Sequence, residues 1–336
     1  MKDYSSIVVS SKVSFRRNLV GFNFPSTLDE LSGIKVLNKL ADNILNLDSD
    51  YKIYKMKSLS ELDRNIMHEK DLISSRLLKN NDFSATILSK DEDVSIMLNE
   101  EDHIVESCVK TGLNLILAYD TLNVIDNEIL SKLDVAFDDV FGFLTSNISQ
   151  VGTGFEAKVR LFLPGLSITG KLKNIQQEIL SQNLGISFTQ ETSSVGCGYI
   201  FDIFNQFTIG QRESDYVIKI TELAIRICEL EISARNELLS KTYVDDVKDK
   251  VFRAWGVATN CYKISELEAR NILSELKMGV ALDFIRFKEP ACIDNLLSDV
   301  LPYSLTKISE MKISASDLGK YRAKFLSSVL KNKRIK

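Results

Sequence analysis

The residues best suited to chemistry cluster in one short run, Asn99-Glu100-Glu101-Asp102-His103, where three carboxylates stand beside one of the chain's two histidines. Carboxylates so placed can take a proton from a bound group, or they can brace the junction at Leu98 to Ile104. Metal chemistry is not expected. Beyond His68 and His103 the soft donors are Cys108, Cys197, Cys228, Cys261 and Cys292, scattered with no CxxC pair. Arginine, whose planar fork grips phosphate oxygens and never loses its proton, is scarce. Of 42 basic residues 13 are arginine, and none lies between Arg76 and Arg160. Against 46 acidic residues the net charge is −4, which leaves no cationic excess for a nucleic-acid backbone or an anionic bilayer. Neither partner is expected. No run approaches the roughly 20 apolar residues of a membrane span. The unpatterned thiols and the lack of a charged start followed by an apolar stretch point to a reducing cytoplasm.

The elements that must position these residues follow from periodicity. At roughly 150 residues per domain, a chain of 336 residues predicts about two domains. Strand-type segments appear at Ile7-Val8-Val9, Val94 to Leu98, Phe143-Leu144 and Tyr199 to Ile209. The run Phe155, Ala157, Val159, Leu161, Leu163 alternates, which places Glu156, Lys158 and Arg160 together on the opposite face. Helical spacing is read for Ile104 to Ala118 and for Ile175 to Leu184. After Gly210, the residues Tyr216, Ile220, Leu223, Ile227, Leu230, Ala234 and Leu238 form the stripe of one long helix. Val247 to Trp255, Ile264 to Leu276 and Asp317 to Leu330 are helical too. Residues 1–239 are therefore expected to form a mixed α and β domain, and residues 240–336 a helical one.

Four stretches in this order resemble the phosphagen (guanidino) kinase family. Ser10-Ser11-Lys12-Val13-Ser14-Phe15-Arg16-Arg17-Asn18-Leu19 is similar to its S-S-R-I-R-L-A-R-N-L, and Asn99 to His103 reproduces its N-E-E-D-H. Gly142 to Thr145, Val151 to Gly154 and Leu163-Pro164 resemble G-Y-L-T, V-G-T-G and L-P. Asn205 to Gly210 resembles N-Q-V-T-L-G. Length and the helical C-terminus are most similar to the bacterial branch, the protein arginine kinases. Leu276 to Gly279 resembles that branch's V-R-L-G, and Tyr321-Arg322-Ala323 the end of its R-D-x-x-R-A phosphoarginine-binding motif. The resemblance implies an α+β fold: a phosphagen-kinase-like antiparallel sheet flanked by helices, then a helical C-terminal domain. It also implies in-line transfer of the ATP γ-phosphoryl to a guanidinium, where the protein supplies positioning and fixed positive charge. Glu101, seconded by Glu100, would orient the guanidinium and accept its proton.

Read onto the family's ATP site at Ser10, Ser11, Lys12, Ser14, Asp71, Val105, Glu156, Lys158 and Ser187, the chain departs from the pattern. The two arginines of S-S-R-I-R are Lys12 and Ser14, and the histidine of E-K-H-L-I-S is Asp71. The arginine after N-E-E-D-H-I is Val105, R-A-S is Glu156-Ala157-Lys158, and R-G-L-Y-G-E falls on Ser187 to Thr192 without its arginine. C-P-T-N is Asn147 to Gln150, without the thiol, and the first Arg-Asp pair of R-D-x-x-R-A is Leu318-Gly319. Charge-assisted hydrogen bonds contribute about 1.5–3 kcal/mol each, so the four arginines replaced by Ser14, Val105, Glu156 and Ser187, leaving aside the one replaced by Lys12, cost on the order of 6–12 kcal/mol of phosphate binding if additive. Non-additivity could halve that.

The expectation is a catalytically impaired protein-arginine-kinase-like protein that acts through binding, with no cofactor. Homodimerisation, pairing with an active paralogue, or engagement of proteolysis and stress-response partners would be its work. The rival expectation is an active MgATP-dependent protein arginine kinase with a rearranged nucleotide site.

Overall fold

Alternation along Val8–Arg17 sets the architecture. Ser11, Val13, Phe15 and Arg17 are buried on one side, and Ser10, Lys12, Ser14 and Arg16 project from the other. The computed structural model describes residues 3–79, 82–188, 198–287, 292–310 and 313–331. Its strands are β1 (Val8–Arg17), β2 (Lys52–Lys55), β3 (Ala85–Leu88), β4 (Val94–Leu98), β5 (Ile104–Thr111), β6 (Phe137–Asp138), β7 (Gly142–Phe143), β8 (Phe155–Phe162), β9 (Leu184–Phe188) and β10 (Ile200–Asn205). Its α-helices are α1 (Glu30–Ile44), α2 (Glu61–Glu69), α3 (Ser75–Lys79), α4 (Leu115–Lys132), α5 (Pro164–Ile168), α6 (Leu172–Ser181), α7 (Glu213–Leu238), α8 (Val244–Asn260), α9 (Glu266–Ala281), α10 (Cys292–Asp299), α11 (Pro302–Ile308) and α12 (Leu318–Lys331).

Eight strands form one sheet in the order β2-β3-β4-β5-β1-β8-β10-β9, antiparallel from β2 through β8. The alternation expected for β8 is present: Phe155, Ala157, Val159 and Leu161 are fully buried while Glu156, Lys158 and Arg160 are not. Helix α4 packs on β1 and β5. Beneath it, Phe15 meets Phe155 and Tyr119, and the buried Arg17 guanidinium binds both oxygens of Asp126 at 3.0 and 2.7 Å. Beside that pair Glu106 is wholly buried. Burial first, and then the charge of Asp126, push its carboxyl well above the usual range against the pull of Arg17.

The helix read over Ile104 to Ala118 is not there. Ile104–Thr111 is a strand, Gly112 turns the chain at φ +71°, and α4 begins only at Leu115. As an inner strand, β5 is buried on both faces from Ile104 to Cys108, so its apolar residues do not alternate and periodicity cannot identify it. Asn99 to His103 therefore joins two antiparallel strands as a hairpin rather than leading into a helix. Val94 to Leu98 is a strand as expected and Ile7-Val8-Val9 leads into the longer β1, while Phe143-Leu144 shifts to Gly142–Phe143 and Tyr199 to Ile209 shrinks to Ile200–Asn205.

The chain divides into two compact units, one of Met1–Leu161, Gln176–Ser187 and Asp202–Arg226, the other of Phe162–Ile175, Phe188–Phe201 and Ile227–Lys336. In the second, Ser265 caps α9 by accepting the Glu268 N–H at 3.2 Å, the S-x-x-E start of a helix. A Cβ on Gly279 would stand 2.4 Å from Val251, so glycine lets α9 approach α8. Arg322 is buried and donates to the carbonyls of Val300 and Ile264, where it ties segments together.

Candidate functional site

Strand register gathers most of the expected site on one face of the sheet in the first unit. On β1, Ser10, Lys12 and Ser14 pair with Arg160, Lys158 and Glu156 of β8. On its other side Ser14 pairs with Ser107 and Arg16 with Val105 of β5. Asp71 is brought to this face from the turn after α2, at φ 61°, and both its oxygens lie 3.1 Å from Lys12 Nζ. Glu156 and Lys158 form an ion pair at 3.5 Å, and Arg160 binds Asp202 at 2.9 and 3.1 Å. Burial works to raise the Glu156 carboxyl, but Lys158, Arg16 and Lys12 outweigh it and hold the group below its ordinary value. The Ser14 and Ser107 hydroxyls share a 3.0 Å hydrogen bond.

Three of the expected positions are placed otherwise. Ser11 points to the opposite side of β1, where it donates to Gly112 O and accepts the Asn114 N–H. Val105 shares the face but is 3% exposed, sealed into an apolar cluster with Met56, Ile73, Leu77 and Met97. Ser187 is exposed on β9, three strands from β1, on the order of 14 Å away at the usual strand spacing. The residues after it that were matched to R-G-L-Y-G-E, 189–192, lie outside the described residues.

The acidic hairpin is largely occupied in holding the fold. Asn99, at φ 55°, donates to the carbonyls of Gly33 and Phe83. Glu100 accepts from Ser74 Oγ and from the Glu101 N–H. Asp102 accepts from Asn18 Nδ2 at 2.6 Å and the Ser146 N–H at 2.7 Å. His103 Nδ1 accepts the Leu19 N–H at 3.0 Å, which leaves Nε2 to donate to Asn23 O. Burial holds that imidazole down to about 4, against the opposing effects of the Asn23 carbonyl and Asp102. Only Glu101 reaches outward, and its carboxylate meets a guanidinium of the same chain: Arg76 Nη2 lies 3.2 Å from Oε1.

The remaining motifs bind one another. Asn18 connects the hairpin to Leu144 O, and Arg17 Nη1 donates to Thr153 O. Asn205 accepts the Ala157 N–H and donates to Phe155 O, while Thr208 Oγ1 donates to Val151 O. Gly154, at φ +61°, leaves no room for a Cβ, which would lie 2.7 Å from Arg16 O and 2.8 Å from Arg17 Nη1. Asn147, in the place of the expected thiol, caps a short turn by accepting the Ser149 N–H. Beside it opens a cavity of about 410 Å³ whose lining includes Gln150, Phe155, Glu156, Phe204 and Phe207. Among the described residues no cluster of three or more His, Cys, Asp or Glu could hold a metal, and no helix is long and apolar enough to cross a membrane.

Sequence reasoning overlooked Arg16, Ser107, Asp202 and Arg76. The first could have been found by continuing the alternation of Lys12 and Ser14 one step. The others come from β5, β10 and α3, and only the folded topology brings them near.

An antiparallel sheet with two motif loops latched at the C-terminal end of its inner strand β1, and cations on one face, defines a phosphagen-kinase type of fold. The chain resembles a crystal structure of lombricine kinase (TM-score 0.59, 19% identity, 69% of this chain and 68% of that one). It also resembles the duplicated taurocyamine kinase of Schistosoma mansoni (TM-score 0.62, 22% identity, 94% of this chain and 49% of that one). Residues 34–234 match the family "ATP:guanido phosphotransferase, C-terminal catalytic domain", and residues 244–336 match "Protein-arginine kinase McsB C-terminal domain". Among relatives named protein-arginine kinase, that of Clostridium tetani is 31% identical over 98% of this chain and 97% of its own length. That of Caldanaerobacter subterraneus is 33% identical over 97% and 98%. The chain belongs to the ATP:guanido phosphotransferase family, in its protein-arginine kinase branch.

Proposed function

We propose that this chain is a catalytically impaired protein-arginine-kinase relative that acts through protein binding. The observation that supports it is the closure of phosphate-facing cations onto carboxylates of the same face: Lys12 on Asp71, Lys158 on Glu156, Arg160 on Asp202. A magnesium-bound triphosphate fits such a surface poorly. Its oxygens would displace Asp71 and meet the repulsion of Glu156, a carboxylate kept ionised by its neighbours. The acceptor side is occupied as well, since Glu101 already holds a guanidinium. In this reading residues 1–239 keep the phosphotransferase scaffold, and the helical residues 240–336 serve dimerisation and regulation, in the cytoplasm. The partner is a second copy, an active paralogue, or a component of stress-response proteolysis.

The test is incubation of the full chain with MgATP and an unfolded substrate protein. No phosphoarginine is expected, and calorimetry should show affinity for MgATP no tighter than roughly 100 μM. Phosphoarginine that vanishes in Glu101→Ala would overturn the reading in favour of an active kinase with a rearranged nucleotide site. One observation favours that second reading, the presence of Arg16 on the phosphate-facing surface.

A further inference from the structure

We infer that Arg16 is a phosphoryl-binding residue of this chain, supplying from β1 the cation that the family resemblance leads one to expect at Val105 on β5. The two positions are direct partners in the antiparallel ladder, where Cβ atoms stand about 4.5–5.5 Å apart. A guanidinium moved from one to the other therefore serves nearly the same volume. The swap suits both residues. Val105 joins the apolar cluster under α3, and Arg16 stays half-buried on the face it shares with Lys12 and the buried Ser14.

Three further observations converge on Arg16. Its Nη1 is buried without a hydrogen-bond partner, and it forms no ion pair within 4 Å among the described residues. Leaving such a donor unsatisfied costs about 1–3 kcal/mol, which an incoming oxyanion would offset. The face carries four cations, Lys12, Arg16, Lys158 and Arg160, against three carboxylates, Asp71, Glu156 and Asp202. One positive charge remains, and Arg16 is the cation without a carboxylate in contact. Finally, Ser14 and Ser107 share a single hydrogen bond, so one hydroxyl proton is free to donate. Ser14 lies two residues, about 7 Å, along the strand from Arg16. A planar fork and a hydroxyl on one face bind a tetrahedral oxyanion such as a phosphoryl group. A single such subsite gives weak binding without the array that transfer requires.

The inference rests on the reading of this face as an impaired donor site, and the experiment separates the two. Calorimetry of the full chain at fixed ionic strength is run with MgATP, inorganic pyrophosphate and, as the control for general screening, chloride. The wild type is expected to bind both phosphate ligands in the range of hundreds of micromolar. Arg16→Gln should weaken that at least ten-fold, and Arg16→Lys, which keeps the charge without the fork, should recover only part. If Arg16→Gln melts early without ligand, Arg16→Lys carries the comparison. Equal binding of wild type and both variants, or no binding by the wild type, overturns the role of Arg16 and leaves the impaired reading standing. Phosphoarginine formation by the wild type overturns the impaired reading and leaves the role of Arg16.

Discussion

Replacing Glu106 by glutamine should change the pH dependence of stability in a way that the wild type conceals. In the fold Glu106 stays protonated above its unfolded value of 4.5, because burial and then Asp126 outweigh Arg17. The folded state then holds one proton more than the unfolded chain, so stability falls by about 1.4 kcal/mol per pH unit as pH rises from 4.5 toward the folded value. His103 acts in the opposite sense. Its folded value of about 4 lies below the unfolded 6.5, so its contribution is complete above 6.5 and is lost as pH falls toward 4. Above about pH 4.5 and below 6.5 the two slopes oppose each other. Glutamine keeps the shape and removes the titration, which leaves the His103 slope exposed. Urea unfolding at pH 5.0 and 6.5 should show Glu106→Gln gaining stability relative to wild type across that interval, by at most about 1.4 kcal/mol per pH unit. A difference that stays constant over the interval would refute the reasoning, since it would mean that Glu106 ionises alike in both states.

Two other substitutions test the site and its support. Arg76→Ala removes the guanidinium from Glu101; Arg76 is exposed by 51% and Glu101 is half-buried at 25%, so the melting temperature should move little. Binding of an arginine-containing peptide, measured by fluorescence anisotropy, should strengthen a few-fold, and unchanged binding would show that Arg76 does not compete for the carboxylate. Gly154→Ala must hold φ +61° and press a methyl against Arg16 O and Arg17 Nη1. A loss on the order of 1–3 kcal/mol in chemical denaturation is expected, and a neutral result would mean that the turn relaxes at little cost.

Much of the fold was legible because its elements alternate or repeat cleanly. The alternating β8 run and the four-and-three stripe of α7 each state which side is buried, except at Leu230, which is exposed beside the buried Glu231. Strand β5 was not legible, because residues buried on both faces leave no period to read. The candidate site was legible where β1 and β8 carry it, since side chains two residues apart share a face. What the sequence withheld is which charges meet. Asp71 is 59 residues from Lys12, and Arg160 is 42 from Asp202. These ion pairs turn a list of substitutions into a surface whose cations, Arg16 apart, are met by carboxylates. Position matching by itself also misassigned Ser11, whose parity in the strand sends it to the far side, and it gave Val105 a role in a site when its surroundings make it core.

Strand β1 serves two masters along one backbone. From Ser11 onward its odd residues are bound into the layer beneath α4, where Arg17, Asp126 and Phe155 fix the central sheet; Ser10, Lys12 and Arg16 lie on the other face, half-buried and outside that layer. Substitutions on the outward side can therefore accumulate without unfolding the domain, even while the neighbouring residue on each side remains indispensable. An enzyme built on such a strand can exchange its chemistry for another role one alternate residue at a time, and its descendants would still fold, still present the same helices, and still be recognised by whatever recognises their shape.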